Sequence, residues 1–221
     1  MSPPADPRGR HPVPEDLARL LHDLRGPLNS AVMHLEVLKR AVANDAMAED
    51  SLRTIQQQLA RLAEMLPAAF DIAALEITER RRVNLHAVVE TALAAHGLSG
   101  ARLEPGEWPK VHGDEALLAL AISHLVRNAL EATPAGAPSP AISAVRNETG
   151  EIVLSVRDWG TGLRTTNPKL LVRLLATGKR GHRGVGLPIA DRIARLHGGA
   201  LRFEAPPPPG AVVSLILPRA D

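Results

Sequence analysis

The chain has 221 residues, 45% of them apolar but only 2% aromatic, so one large or two modest domains must be built around Leu, Ala, Val and Ile. A net charge of +2, with no basic run longer than Arg80-Arg81-Arg82, argues against nucleic-acid binding, and the absence of cysteine excludes disulfides and thiolate metal sites. No apolar run approaches the ~18 residues of a membrane span and no signal-peptide core opens the chain, which reads as soluble and cytoplasmic.

Residues 1–12 hold Pro3, Pro4, Pro7 and Pro12 and read as a flexible tail. Leu17, Leu20, Leu21, Leu24, Leu28, Leu35 and Leu38 then recur at helical spacing and predict a helix over residues 14–42 with a buried leucine stripe. At about 100° per residue, His22 lies roughly 160° from Leu24, on the solvent side. A turn at residues 43–46 leads to a second helix over 48–75, where Leu52, Ile55, Leu59, Leu62 and Leu66 alternate steps of three and four. Two such helices cannot bury both stripes alone. A second copy closes a four-helix bundle, which predicts a homodimer through residues 13–75.

The periodicity changes after Glu79. A short strand is expected over residues 82–85, a helix over 86–96, and strand fragments at 101–103 and 111–112. Asp114 is placed to cap a helix that runs to about Thr133 and is broken by Pro134. Residues 141–146 and 152–157 alternate around Asn147-Glu148-Thr149-Gly150 as a hairpin. Residues 162–183 are irregular and basic, residues 186–197 form a helix stopped by Gly198-Gly199, and residues 200–204 and 211–217 close the chain as a second hairpin. The order is α+β: a helical hairpin, then an α/β domain with antiparallel strand pairs.

Four stretches bear chemistry. His22-Asp23 sets a carboxylate beside an exposed imidazole. Asn128 sits late in an apolar helix, where an unpaired amide would cost roughly 1–3 kcal/mol. Either a neighbouring backbone group or a hydrated Mg²⁺ would satisfy it. Asp158-Trp159-Gly160-Thr161-Gly162 ends a strand; its carboxylate suits the amino group of adenine, although the pattern also occurs in ordinary hairpins. Gly184-Val185-Gly186 opens a helix next to Lys179, Arg180 and Arg183, a phosphate-binding arrangement.

In order and spacing, these stretches resemble the boxes of bacterial two-component sensor histidine kinases. His22-Asp23-x-Arg25-x-Pro27-Leu28 resembles their phosphoacceptor box and Asn128-Ala129 their asparagine box. Asp158-x-Gly160-x-Gly162 and Gly184-Val185-Gly186-Leu187 resemble their glycine boxes; Leu196-His197-Gly198-Gly199 and Leu215-x-Leu217-Pro218 match the end of the ATP-binding domain. The resemblance implies a dimeric helical bundle followed by an α/β sandwich of the GHKL type, divided as residues 13–78 and 79–221. It implies that His22 attacks the γ-phosphorus of ATP, Asp23 acts as its base and Arg25 steadies the phosphoryl group. It further implies that Asn128 holds Mg²⁺, Asp158 binds adenine beside Gly160 and Gly162, and Gly184, Gly186 and Lys179 contact phosphate. The implied partners are a second copy, a response-regulator receiver and a separate sensor protein, since no sensory domain is evident.

Several positions depart from the family. Position 124 is usually Asn and here is His124; a basic residue usual at position 131 is Glu131; one expected glycine is His182. His124 weakens the case for simple ATP hydrolysis and leaves metal ligation there open, and Glu131 removes a phosphate contact. His182, with Leu171-Val172-Arg173-Leu174-Leu175 in place of a phenylalanine-rich stretch, lowers the expected ATP affinity and keeps open a dimeric phosphotransfer or scaffold protein with a degenerate nucleotide site. A serine kinase sharing the ATP domain is disfavoured by the histidine box. Gly26 stands where bifunctional members carry Thr or Asn to position a water, so weak phosphatase activity is expected.

Overall fold

The structure is a computed structural model that describes residues 15–40, 45–163, 165, 167–173, 184–207 and 209–219. The predicted tail lies outside the described residues. Two compact units divide after Ala73.

The first unit is an antiparallel pair, α1 (Glu15–Arg40) and α2 (Asp45–Ala73). The second helix starts at Asp45 rather than 48, since an aspartate is favourable in a first helical turn. Ala31 of α1 and Ile55, Leu62, Met65, Ala68, Ala69 and Ile72 of α2 are buried between the helices. Within one chain the α1 stripe is only partly covered: Leu28 is 50% and Leu35 45% exposed. The α2 seam also splits, with Ile55 and Leu62 buried while Leu52, Leu59 and Leu66, seven residues apart, are exposed. A lone pair of helices can close only one face of each, and the second stripe remains outside.

The second unit runs β1 (Arg81–Asn84), α3 (Leu85–Ala95), β2 (Arg102–Leu103), β3 (Lys110–Gly113), α4 (Glu115–Ala132), β4 (Ala141–Arg146), β5 (Ile152–Arg157), α5 (Pro168–Leu171), α6 (Gly186–Leu196), β6 (Ala200–Glu204) and β7 (Val212–Leu217). Strands β1 and β3 form an antiparallel ribbon, and a five-stranded sheet has the order β2-β4-β5-β7-β6. Both expected hairpins are present, but β2 pairs with β4 in parallel. A parallel pair needs a crossover, which α4 supplies and which alternation within one strand does not disclose. Alternation sends Ile152, Leu154 and Val156 of β5 inward, where Leu215 and Leu217 of β7 join them. Leu118, Ile122, Leu125 and Val126 of α4 and Ile193 of α6 cover that face. Each such side chain contributes about 1.5–3 kcal/mol on burial. Helices therefore pack on a single face of the sheet.

The segment leading into this unit is fastened to the far ends of α4 and α6. Asp114 caps α4, its Oδ1 accepting from Leu117 N at 3.1 Å. Its Oδ2 accepts from Thr78 N at 3.1 Å, Thr78 Oγ1 at 2.9 Å and Glu79 N at 3.4 Å. Burial opposes ionisation, but these donors outweigh it and bring the Asp114 pKa down to about 2. His197 ends α6 with Nδ1 donating to Ile193 O at 2.8 Å and Nε2 accepting from Asp114 N at 3.0 Å. Burial and the Arg80 cation depress its pKa, and the bond accepted from Asp114 N requires the neutral ring. Arg80 donates to Leu196 O at 2.7 Å and Arg192 to Leu75 O at 3.4 Å.

Candidate nucleotide site and phosphoacceptor helix

Helix α4 is the spine of the site. His124, Asn128 and Ala132 are spaced by four residues along it, so they fall on one face. Each glycine cluster meets this helix. A Cβ added at Gly186, the first residue of α6, would lie 3.2 Å from His124 Nδ1 and 3.5 Å from its Cγ. A Cβ at Gly160 would lie 2.5 Å from Ala132 O. At 160 only glycine lets the chain lie this close, whereas at 186 the His124 ring would have to shift by a few tenths of an ångström. The turn after β5 is held further by Trp159 N, which donates to Thr133 Oγ1 at 3.2 Å, while that hydroxyl donates to Ala129 O at 2.8 Å.

Asp158 is 9% exposed at the end of β5. Its Oδ1 accepts from Gly160 N at 2.9 Å and Ala211 N at 3.1 Å. Its Oδ2 has no donor among the described residues, so the carboxylate is fixed in orientation with one oxygen unengaged. Gly162 (φ +81°) and Gly184 (φ +60°) adopt backbone conformations that favour glycine. The sequence reading missed Gly210: at φ +110° a Cβ there would meet Asp158 O at 2.0 Å. The Pro206–Pro209 connection hides this close approach in a run read simply as a hairpin loop.

Asn128 is half-buried, as is His124, and neither side chain is hydrogen-bonded among the described residues. Burial, with Arg127 and His96 nearby, lowers the His124 pKa to about 4, so its ring is neutral near pH 7. Trp159 has Arg157 4.3 Å over its ring and Nε1 donating to Ser139 O at 3.2 Å. Lys179 lies outside the described residues.

On α1, His22 and Arg25 occupy helical backbone positions, and the expected outward orientation of His22 lies outside the described side chains. Asp23 is 7% exposed. Gly26 is exposed, with nothing within 4 Å of an added Cβ. Pro27 stands within the helix, where it leaves the Asp23 carbonyl without its usual intrahelical donor.

Two family models match the chain: His Kinase A (phospho-acceptor) domain over residues 17–76, and Histidine kinase-, DNA gyrase B-, and HSP90-like ATPase over residues 113–221. The sensor protein DivL of Caulobacter vibrioides is 29% identical over 211 residues, covering 90% of this chain and 27% of DivL. The sensor-like histidine kinase SenX3 of Mycolicibacterium smegmatis is 27% identical over 223 residues, covering 91% of this chain and 56% of that protein. The chain thus spans little more than half, or less, of these relatives. Among solved structures, the mycobacterial sensor histidine kinase MprB has a TM-score of 0.56 at 25% identity, over 63% of this chain and 97% of that one. Full-length ShkA in complex with AMPPNP has a TM-score of 0.55 at 21% identity, over 94% of this chain and 46% of that one. No helix among the described residues is long and apolar enough to cross a membrane. With a phosphoacceptor hairpin followed by the ATPase fold, the chain belongs to the two-component sensor histidine kinases.

Proposed function

We propose that this chain is an ATP-dependent protein histidine kinase that phosphorylates its own His22 and passes the phosphoryl group to an aspartate of a response-regulator receiver. The observation that carries this reading is the convergence of Gly186, Asn128 and the Asp158 turn along one face of α4. Asp158 offers its unengaged Oδ2 to the adenine amino group, and Gly160 and Gly162 let the ring lie against the backbone. Gly184 and Gly186, at the start of α6, present backbone N–H groups to the phosphates, and the resemblance adds Lys179 as a cationic phosphate contact. ShkA, of the same fold, was solved with AMPPNP.

No group of three or more His, Cys, Asp or Glu able to hold a metal occurs among the described residues. The donor set therefore fits an ion that arrives with the nucleotide, as Mg²⁺ does, rather than one held in an all-protein cage. The half-buried, unpartnered amide of Asn128 would hold it by its oxygen. When bound, the ion neutralises charge on the phosphates. Asp23 orients the His22 imidazole and takes its proton as a ring nitrogen attacks the γ-phosphorus; the bond to the β-phosphate oxygen breaks and ADP leaves with the electron pair. Arg25 would supply positive charge to steady the phosphoryl group. Positioning and charge neutralisation supply most of the acceleration in such transfers.

The exposed Leu28, Val32 and Leu35 of α1 and Leu52, Leu59 and Leu66 of α2 are the surface a second copy covers, giving a homodimer. Gly26 offers no side chain to position a water, so dephosphorylation of the receiver is weak. Because an added Cβ there meets nothing, Gly26→Thr folds and raises that phosphatase activity. Incubation with γ-labelled ATP and Mg²⁺ tests the main reading: wild type acquires acid-labile, base-stable label, whereas His22→Gln and Asn128→Ala do not. A folded, unlabelled wild type that still dimerises would return the chain to the scaffold reading.

A further inference from the structure

A single hydroxyl joins α4 to the turn that carries Asp158. Thr133 caps the end of α4, and its Oγ1 donates to Ala129 O at 2.8 Å while accepting from Trp159 N at 3.2 Å. Ala129 follows Asn128 and Trp159 follows Asp158, so the link runs from the neighbour of one site residue to the neighbour of the other. The hydroxyl proton is committed to the helix carbonyl, which leaves a lone pair for the turn. Thr133 N also donates to Ala129 O, at 3.0 Å, so the helix end that carries the hydroxyl is itself closed.

The turn keeps its own shape without this link. Asp158 N donates to Ala211 O at 2.9 Å, and Asp158 Oδ1 accepts from Gly160 N and Ala211 N. Farther along the connection that follows α4, Ser139 O accepts from the Trp159 indole at 3.2 Å. What the hydroxyl adds is the placement of the turn on α4. Gly160 lies against Ala132 O, a steric stop that limits the approach but does not hold the turn there. The bond from Trp159 N to Thr133 Oγ1 supplies the attraction. We propose that Thr133 is a positioning residue for nucleotide recognition: through Trp159 N, its hydroxyl sets where the Asp158 carboxylate stands relative to Asn128, and so the selection of adenine by its amino group. The proposal rests on the reading of Asp158 as the adenine acceptor.

The test compares equilibrium binding of ATP and of purine riboside triphosphate, which lacks the 6-amino group, to the full chain. Wild type should prefer ATP by about tenfold or more, the value of one hydrogen bond to a carboxylate. Thr133→Val keeps the shape and removes the hydroxyl; its preference should fall below about threefold, through weaker ATP binding. Thr133→Ser keeps the hydroxyl and should restore the preference. A Thr133→Val protein that is less stable but keeps the wild-type preference would make the hydroxyl a helix cap only and overturn the proposal, as would a Thr133→Ser protein no better than Thr133→Val. Amide hydrogen exchange on wild type gives a readout that needs no variant. Coupling is reciprocal, so protection at Trp159 N should rise more with ATP than with the analogue, and an equal rise would refute the link. Wild type that binds both nucleotides equally would remove Asp158 as the adenine acceptor and the proposal with it, whereas a preference that survives in Thr133→Val removes Thr133 alone.

Discussion

Replacing Asp114 by Asn separates the cap of α4 from the fastening of residues 78 and 79. The amide oxygen can still accept from Leu117 N, as Asp114 Oδ1 does at 3.1 Å. The other position becomes an NH₂ group facing Thr78 N and Glu79 N, which now donate to Oδ2 at 3.1 and 3.4 Å. Two backbone donors therefore lose a charged acceptor. The Thr78 hydroxyl, now donating at 2.9 Å, can turn and accept instead. Hydrogen bonds to charged groups contribute about 1.5–3 kcal/mol each, and the longer contact to Glu79 contributes the lesser share, so a net cost of about 2–3 kcal/mol is expected. For a unit of this size that lowers the melting temperature by roughly 4–10 °C. Thermal unfolding gives the energy, and amide hydrogen exchange locates it: Thr78 and Glu79 should lose protection while Leu117 keeps it. Unchanged protection at Thr78 and Glu79, or a loss confined to the first turn of α4, would refute the assignment of the second carboxylate oxygen.

Two glycine series and one pH profile follow from the same geometry. Gly26→Ala, with open space around the new methyl, should stabilise the first unit by about 1 kcal/mol, measured by urea unfolding. Gly160→Ala and Gly210→Ala, whose methyls would meet backbone at 2.5 and 2.0 Å, should each destabilise the second unit by about 1–3 kcal/mol or more and weaken nucleotide binding. Acid should destabilise the second unit in two windows. His197 has its pKa lowered by burial, so the neutral ring contributes stability that is present above about 6.5 and lost as pH falls below it. Asp114, brought from 3.8 to about 2, contributes stability present above 3.8 and lost toward pH 2. Chemical denaturation at stepped pH should show a shallower slope below 6.5 in His197→Gln; an equal slope in both proteins would remove His197 as the cause.

The helices and hairpins were readable because each has a period of its own. Strands β4 and β5 carry a two-residue alternation around a recognisable turn, and Asp114 and Asn84 are capping residues of ordinary type. Features that depend on two distant segments were not readable. The parallel pairing of β2 with β4 spans a whole crossover, and two residues of strand carry no alternation to announce it. Gly210 looked like loop composition until its backbone was seen against Asp158. Asp114 was visible as a cap, but its second oxygen answers to residues 78 and 79, and His197 was legible at the helix end yet not as the acceptor of Asp114 N. The stripe on α1 was legible as apolar at Leu28 and Leu35, but not which of its residues the neighbouring helix of the same chain covers. Periodicity shows that a face is apolar, but whether the same chain covers it depends on how many helices are available.

The site has the same character at a finer scale. Asn128, Asp158 and Gly186 stand far apart in sequence, and what unites them is the four-residue step along α4 from His124 through Asn128 to Ala132. That step explains why these positions tolerate change so differently. Ala132 acts through its backbone carbonyl, so its side chain matters little, but its neighbour at 160 must be glycine. Position 128 carries a half-buried amide between these two contacts. Position 124 packs its ring against Gly186, the first residue of α6. The same helix face therefore sets how closely α6 and the turn after β5 approach, and a change at either contact moves a glycine segment relative to Asn128.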